Sequence, residues 1–345
     1  MNPEALRLWD GPVLGIETSC DETSLAVLEG LSVRANVVSS QAKLHEQWGG
    51  IVPEAASRAH VEAFLPAMEQ ALSESGMNLS DITAISVTNR PGLVGALNVG
   101  LTAAKGLAYA LEVPFVAIHH LEGHLLSPLL DDPVLRFPHV CLLVSGGHTE
   151  IVRLEGLGAY RLLAQTRDDA AGEAFDKTAR LLGLGYPGGA AIQELAQGAN
   201  PERYPLPVAL EKEETLDLSF SGLKTAVLRL VESEGASLDK PDAAASIQHA
   251  IARALVLRGM QATEREGVDC LTLVGGVAAN ERLRQSLAKE CERRGWRFRT
   301  PRAEYCTDNA AMIALAGSWR LAAGQRSGWE AEPESTAPLP GPVES

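Results

Sequence analysis

Apolar and polar positions follow two periodicities along the chain, and their order is repeated in the second half. From Val13 to Val38, short β-branched runs separated by polar turns predict a meander of three strands. A helix is then predicted from Pro53 to Gly76, since proline favours a helix start and glycine a helix end. Its predicted apolar face consists of Val61, Phe64, Leu65, Met68 and Leu72. A strand, a helix from Val94 to Leu111 and another strand follow.

The second half begins again with three strand patterns, continues with three helical stretches, and ends in a strand and two helices. Side-by-side identity between the halves is weak, so the order of elements alone predicts a duplicated α/β chain. We expect residues 12–118 and the last helix, within residues 305–324, to form one domain. Residues 119–304 are expected to form the second. Residues 325–345 are rich in Pro, Glu and Ser, which predicts a disordered tail.

Composition narrows the class of protein. With 46% hydrophobic residues among 345, the chain is neither disordered nor fibrous. Its five cysteines form no CxxC pair and are expected to be reduced thiols. The apolar stretch from Gly92 to Ala104 contains Asn98 and is shorter than the ~18 residues of a membrane span, so we expect no membrane segment. The N-terminus is too charged for a secretory signal, which predicts a cytoplasmic protein.

Three turns rich in glycine or serine are candidates for binding phosphate. GIETSCDETS follows the first strand, and its Asp21 or Glu22 could hold a cation or accept a proton. LVSGGHTE, Leu143 to Glu150, stands at the matching place in the second half. LVGGVAANERL joins a strand to a helix at Asn280. For the first turn alone an ordinary solvated hairpin is the alternative, and the last turn alone is weak evidence. Together the three turns resemble the nucleotide-binding fold of actin, Hsp70 and sugar kinases.

The sequence HHLEGH carries the sharpest chemical signal. On a helix, His120 and His124 stand four residues apart on one face, the spacing at which two imidazoles share a metal ion. Asp308, at the start of the last helix, is the best candidate for a third ligand. Two histidines without a metal are the alternative. A zinc peptidase is disfavoured because Leu121 stands where its glutamate is needed, and Glu122 is rotated by about 200° around the helix.

Two further features suggest binding. Asp176, near the turn that contains Gly189, suits ribose hydroxyls or a substrate amine, with a surface charge as the alternative. Five arginines between Arg293 and Arg302 are interleaved with Trp296 and Phe298, a mixture that holds phosphates and stacks bases. The alternative is a solvated edge strand. The net charge of −14 opposes RNA binding unless a local basic surface or a partner offsets it.

Taken in chain order, the motifs are GIETSCDET, GGIVPEAASRAH, HHLEGH, LVSGGHT, DDAAGEAFDKTARLLGLGYPGG, SFSGLKTAV, GGVAAN and CTDNAAMIA. With them the chain resembles the tRNA N6-adenosine threonylcarbamoyltransferase family, bacterial TsaD, over about residues 13–322. The resemblance implies two duplicated actin-like (RNase H-like) domains with an interdomain cleft. It implies transfer of a threonylcarbamoyl group from threonylcarbamoyl-AMP to N6 of the adenosine 3′ of the anticodon, in tRNAs reading codons that begin with A. It also implies an inactive paralogue (TsaB) and a small ATPase (TsaE) as partners.

The resemblance assigns residues as well. His120, His124 and Asp308 would bind one divalent ion, Fe(II) ahead of Zn(II). The residues expected to contact the adenylate are Leu143, Val144, Ser145, Gly146, Gly147, Asp176, Gly189 and Asn280. Because an aromatic amine is a poor nucleophile, a base is expected, and Glu22 or Asp21 is the candidate. A kinase or ATPase of the same superfamily and an actin-like scaffold without activity are the alternatives.

Overall fold

The computed structural model describes residues 6–48 and 50–340 of the chain. The chain divides into two compact units. Unit 1 is formed by the chain up to Arg136 together with the chain from Asp308 onward, and unit 2 is Phe137–Thr307. From the sequence we expected the first boundary after residue 118. In the structure it lies after Arg136. The physical reason is that the segment after residue 118 packs against the last helix of the chain.

Strands and helices fill most of the described residues. The strands are β1 (Pro12–Glu17), β2 (Glu22–Glu29), β3 (Ser32–Ser40), β4 (Ala84–Arg90), β5 (Phe115–His119), β6 (His139–Val144), β7 (Thr149–Gly156), β8 (Ala159–Gln165), β9 (Cys270–Val274) and β10 (Arg297–Arg299). The α-helices are α1 (Ala42–Glu46), α2 (Pro53–Ser75), α3 (Val94–Leu111), α4 (His120–Leu126), α5 (Ala171–Leu181), α6 (Gly188–Leu195), α7 (Ser221–Glu234), α8 (Lys240–Arg265), α9 (Glu281–Arg294) and α10 (Ala310–Ala322). Short 3₁₀ helices lie at Leu79–Asp81, Ser127–Leu130, Gly235–Ser237, Gly276–Ala279 and Ala303–Tyr305.

The two units contain sheets of the same topology. In unit 1 the strand order is β3-β2-β1-β4-β5, and in unit 2 it is β8-β7-β6-β9-β10. In each sheet the first three strands in sequence form an antiparallel meander, and the last two run parallel to the first strand of that meander. The duplication predicted from the order of elements is therefore confirmed by strand order and direction.

Each unit buries an apolar core of its own between sheet and helices. The five cysteines are free thiols, as expected; Cys20 is half-buried and the others are buried. Burial raises the pKa of Cys141 to about 12 and that of Cys291 to about 11. These two thiols therefore stay protonated at neutral pH and act as small apolar side chains.

Helix α2 has the predicted ends but a different buried face. It begins at Pro53, and Gly76 ends it in the left-handed conformation with a φ of 69°. Val61 and Leu65, predicted to be buried, are 63% and 61% exposed. Phe64 is buried as predicted, and Met68 and Leu72 pack partly buried against the core. The other buried positions are Ala56, His60, Ala67 and Ala71. Small alanine side chains let the helix approach β2 and β3 closely, so packing rather than hydrophobicity decides which face is buried.

Helix α3 is longer than the apolar stretch recognised in the sequence. It extends over 18 residues, Val94–Leu111, and by length and composition alone it could cross a membrane. One such helix is weak evidence for a membrane span, because the core helix of a soluble protein passes the same test. Within unit 1, α3 packs against β4 and α2, and Ala96, Leu97, Leu101, Ala104 and Ala108 are buried there.

Helix α10 belongs to unit 1, where it packs on β1, β2 and β4. The contact is close enough to require glycine on both surfaces. A Cβ atom on Gly15 of β1 would overlap the carbonyl oxygen of Ala310, and one on Gly317 of α10 would overlap Ser86. The Ser86 hydroxyl donates a hydrogen bond of 2.6 Å to the carbonyl of Ile313. This packing carries the end of the chain back to the first sheet.

The predicted disordered tail is ordered over its described part, residues 325–340; residues 341–345 lie outside the described residues. Ser327 N donates to the carbonyl of Phe115, and the Asn89 amide donates to the carbonyl of Glu332. The ring of Trp329 packs against Phe115, with centroids 5.5 Å apart. The prediction failed because hydrogen bonds to the backbone of this segment and two aromatic contacts of Trp329, with Phe115 and Tyr109, fix a segment whose composition alone indicates disorder.

We expect Gly317→Ala to lower the free energy of unfolding by about 2 kcal/mol, because the added methyl group displaces Ser86 or α10. The matched control is Gly106→Ala on α3, where an added Cβ has no atom within 4 Å. That change should be neutral or stabilise by about 0.5–1 kcal/mol. Urea unfolding of both variants measures the difference, and equal stability of the two would contradict the close packing of α10.

Candidate functional site

His120, His124 and Asp308 form a cluster in unit 1. His120 begins α4, His124 lies one turn later, and Asp308 stands just before α10. Nε2 of His124 lies 3.0 Å from Oδ1 of Asp308, and Nε2 of His120 lies 3.4 Å from the same oxygen. One donor atom from each residue lies within 4.8 Å of the other two. The four-residue spacing on α4 therefore places both imidazoles on the face that meets Asp308.

The donor set fits a divalent metal ion. Two imidazole nitrogens and one carboxylate oxygen suit Fe(II) and Zn(II) alike, and three protein ligands leave positions open for a substrate. Both histidines are buried, whereas the Asp308 side chain is 21% exposed. The imidazoles are thus shielded from solvent, whereas the carboxylate of Asp308 is partly accessible to it.

Glu17, at the end of β1, is a site residue that sequence reasoning missed. It is fully buried, and its Oε2 lies 3.0 Å from Nδ1 of His120 and accepts a 2.5 Å hydrogen bond from the Thr88 hydroxyl. A carboxylate can only accept from Nδ1, so the proton of neutral His120 is held there and Nε2 keeps its lone pair toward the cluster. A glutamate ending the apolar strand VLGIE was the available signal.

The charges of the cluster perturb one another. Burial opposes ionisation of Asp308, but the charge of His120 and hydrogen bonds from both imidazoles prevail and hold the pKa of Asp308 well below its usual range. Burial would lower the pKa of His120, yet Asp308 and Glu17 raise it well above its usual value. Burial lowers the pKa of His124. Buried Glu17 and partly exposed Asp308 thus attract one positive charge, either a proton on His120 or a cation.

The predicted bases lie beside this cluster. Asp21 is buried in the turn after β1, and Glu22 begins β2. Burial, the charge of Asp308 and the neighbouring Asp21 raise the pKa of Glu22 well above its usual value. A carboxyl group with a raised pKa exchanges protons closer to neutral pH, which suits general acid or base chemistry.

Hydrogen bonds from α2 and α3 hold this turn. His60 of α2 bonds through Nδ1 to the Thr23 hydroxyl at 2.7 Å and through Nε2 to the carbonyl of Cys20 at 3.1 Å. Leu93 N, at the start of α3, donates to the carbonyl of Ser19. His60 was also missed from sequence, although it ends the motif GGIVPEAASRAH. A lone histidine on a buried helix face was the only signal.

In unit 2, the turn after β6 presents backbone groups rather than side chains to a ligand. Leu143 and Val144 are fully buried in β6, so their side chains belong to the core. Ser145 N donates to the carbonyl of His148, which closes the turn, and Gly146 and Gly147 are exposed at its tip. No atom lies within 4 Å of a Cβ built on either glycine. Among the five predicted contacts here, the space for a ligand lies at the two glycines.

The other predicted contacts in unit 2 cap helices. Oδ1 of Asp176 accepts from Gly188 N at 2.8 Å at the start of α6, the helix that contains Gly189. Asn280 caps α9, and its Oδ1 accepts from Leu283 N at 3.0 Å. Gly275, with a φ of 90°, brings the turn before α9 against the backbone of Val144. The turns after β6 and β9 are therefore neighbours, whereas Asp176 has one oxygen committed to α6.

The arginine segment from Arg293 to Arg302 is partly neutralised. Arg293 pairs with Glu290, Arg297 with Asp269 at 2.7 Å, and Arg302 with Glu304. The guanidinium of Arg294 stacks over Trp296, 5.1 Å from the ring centroid. β10 is the edge strand of its sheet, so the segment presents both signs of charge at that edge.

Comparisons with known proteins identify the family of the chain. The family model TsaD, tRNA N6-adenosine threonylcarbamoyltransferase, matches residues 32–315. A relative of that name from Magnetococcus marinus is 50% identical over 331 residues, covering 91% of this chain and 93% of its own. Another of that name, from Symbiobacterium thermophilum, is 50% identical over 322 residues, covering 92% of this chain and 94% of its own.

Solved structures with low sequence identity share the fold. Component A of (R)-2-hydroxyglutaryl-CoA dehydratase from Acidaminococcus fermentans is 17% identical with a TM-score of 0.56, covering 90% of this chain and 99% of its own. HypF from T. kodakarensis is 15% identical with a TM-score of 0.59, and the match covers 93% of this chain and 49% of the HypF chain. The predicted fold of two actin-like α/β domains is confirmed. With a family model over most of its length and relatives half identical to it, the chain belongs to the tRNA N6-adenosine threonylcarbamoyltransferase family.

Proposed function

We propose that the chain transfers a threonylcarbamoyl group from threonylcarbamoyl-AMP to N6 of the adenosine 3′ of the anticodon, in tRNAs that read codons beginning with A. Family membership makes the chain a transferase of tRNA modification. The observation that carries the finer proposal is the cluster of His120, His124 and Asp308 in a chain of this family. A kinase or an ATPase of the same fold gives no reason for two buried imidazoles facing one carboxylate.

In the proposed reaction, the N6 amine attacks the carbamoyl carbon. A C–N bond forms, the bond from that carbon to the phosphate oxygen breaks, AMP leaves, and the amine loses one proton. His120, His124 and Asp308 would hold one divalent ion, for which we propose Fe(II) ahead of Zn(II), and when bound it would supply a Lewis acid for an oxygen of the donor. Glu17 orients His120, and His124 stays neutral because burial lowers its pKa.

Glu22 is the proposed proton acceptor, with Asp21 as the second candidate. The raised pKa of Glu22 gives its carboxylate a higher affinity for the proton that the amine releases. Its position supports this role, because Asp308 acts on it through charge and the turn that carries it is fixed by His60. The same carboxylate would also stabilise positive charge on the attacking amine.

Unit 2 is proposed to bind the adenylate. Amides at Gly146 and Gly147 suit phosphate oxygens, because exposed glycines let a ligand approach the backbone, while Ser145 closes the turn that carries them. Gly189 in the first turn of α6 adds amide dipoles, and Asp176 holds that turn in place. Asn280 is proposed to lie beside the nucleoside, while Leu143 and Val144 contribute through their backbone.

Partners and location follow from the resemblance. We propose that an inactive paralogue, TsaB, and a small ATPase, TsaE, assist the reaction. A partner could also offset the net charge of −14 when tRNA binds. The cytoplasm is the proposed location, since the substrate tRNA is used there.

A single-turnover assay tests the proposal. Enzyme with its partners, threonylcarbamoyl-AMP labelled in the threonyl group and unmodified tRNA should yield labelled tRNA and AMP. His124→Ala should lower the rate about 100-fold or more and remove the metal from chain purified without chelator or affinity tag. Arg34→Ala, which breaks only the exposed pair with Glu29, is the control and should change neither value. ATP turnover without RNA, and no labelled tRNA, would instead favour the ATPase or kinase.

Glu22→Gln tests the base. Loss of the proton acceptor should lower the transfer rate by about 10²–10⁴-fold while binding of adenylate and metal persists. A base acts when deprotonated, so the wild-type rate should rise with pH through the pKa of Glu22, which lies above the usual 4.5. This rise of the rate with pH should disappear in the variant. Glu29→Gln, at the exposed end of β2, is the control. A full transfer rate in Glu22→Gln would exclude the residue.

The arginine segment gives a separate prediction. Arg297→Glu with Arg299→Glu should weaken tRNA binding and lower the slope of affinity against salt by up to about two. Arg34→Glu with Arg229→Glu makes the same change of net charge at exposed positions elsewhere and should have a smaller effect. Filter binding at several salt concentrations measures both. Unchanged affinity and salt slope in the first pair would exclude the segment from the tRNA interface.

A further inference from the structure

A buried ion pair joins the two helices that bring the clustered donors together. Arg320 of α10 donates from Nε to Oε2 of Glu122 at 2.6 Å and from Nη2 to Oε1 at 2.7 Å. Glu122 of α4 is fully buried and Arg320 is 7% exposed. The guanidinium thus makes a bidentate pair with the carboxylate, the strongest and most directional arrangement available to these two groups.

The ion pair lies away from the cluster. Glu122 is two residues from both His120 and His124, so it projects from the opposite side of α4, about 200° around the helix. Arg320 stands ~15 Å along α10 from Ala310, the first residue of that helix, at a rise of about 1.5 Å per residue. Between these points Gly123 lies against α10, where an added Cβ would come 2.7 Å from Cδ1 of Ile313. Helix α4 is therefore attached to α10 on both of its sides.

A short helix needs such attachments. Seven residues are too few for α4 to be stable alone, so tertiary contacts decide its orientation. The contact of the imidazoles with Asp308 and the packing of Gly123 against α10 would still let α4 rotate about its own axis. Such a rotation would move both imidazoles. A pair on the opposite side opposes that rotation. The guanidinium is itself held, since its Nη1 donates to Oε1 of Gln325 at 2.5 Å.

We propose that Glu122 and Arg320 are positioning residues for the metal centre: their ion pair fixes the rotation of α4 so that His120 and His124 both face Asp308. The inference rests on the metal site of the proposed function. A buried ion pair adds little net stability compared with apolar residues of similar size, so geometry rather than stability is the effect to measure.

The test uses full-length apoprotein and Co(II), whose d–d absorption reports the ligands, with Zn(II) competition as a second measure of affinity. Glu122→Met with Arg320→Leu removes the pair without leaving a buried charge. Arg320→Lys keeps the charge but loses the planar fork. The matched control is Glu54→Met with Arg58→Leu, an exposed ion pair on α2. His124→Ala removes one proposed ligand, and thermal unfolding is recorded for every variant.

The double variant Glu122→Met with Arg320→Leu should bind Co(II) about tenfold or more weakly, with an altered d–d spectrum and a nearly unchanged unfolding midpoint. Arg320→Lys should weaken binding by a smaller factor, and the control should match wild type. If the double variant does not fold, Arg320→Lys decides in the same way. Wild-type Co(II) affinity and spectrum in the variants that fold would overturn the inference. Wild-type Co(II) binding by His124→Ala would instead refute the metal site.

Discussion

The close packing of α10 against the first sheet is the constraint on which the metal centre depends. Gly15 and Gly317 allow backbone and side chains to meet where any Cβ would overlap a neighbour. This contact brings Asp308 to the end of β1, where Glu17 emerges and α4 begins. His124 and Asp308, 184 positions apart in the sequence, can therefore share a hydrogen bond of 3.0 Å. The glycines matter for chemistry because they set a distance between helix and strand.

The negative charges of Glu17 and Asp308 affect several properties of the site at once. Glu17 and Asp308 are carboxylates in a poorly solvated place, which is costly without donors and positive charge around them. The Thr88 hydroxyl, Ser19 N and the imidazole of His120 supply part of that compensation. Burial raises the pKa of Glu22, and the negative charge of Asp308, which also favours a cation, raises it further. The metal affinity of the cluster and the proton affinity of Glu22 are thus coupled, and a bound cation would lower the pKa of Glu22.

Sequence periodicity predicted the elements and their duplication because both depend on local patterns. The spacing of His120 and His124 likewise predicted one helix face. Glu17 was missed because its role depends on a neighbour 103 positions away, which no local pattern records. The predicted buried face of α2 was wrong at Val61 and Leu65, because alanines and not these larger side chains lie against the sheet. Tail composition indicated disorder, but backbone groups of residues 325–340 and the ring of Trp329 bind the first unit.

Unit 1 is assembled from both ends of the chain, and this has a consequence for biosynthesis. The hydroxyl of Ser24 accepts a hydrogen bond from Ala310 N, 286 positions later. On the ribosome, unit 2 is contiguous and can collapse as soon as it emerges, whereas the first sheet must wait for the last helix. A nascent chain therefore carries both imidazoles without their carboxylate until Asp308, 184 positions after His124, has been synthesised. Premature metal capture during synthesis is thereby limited to an incomplete set of ligands.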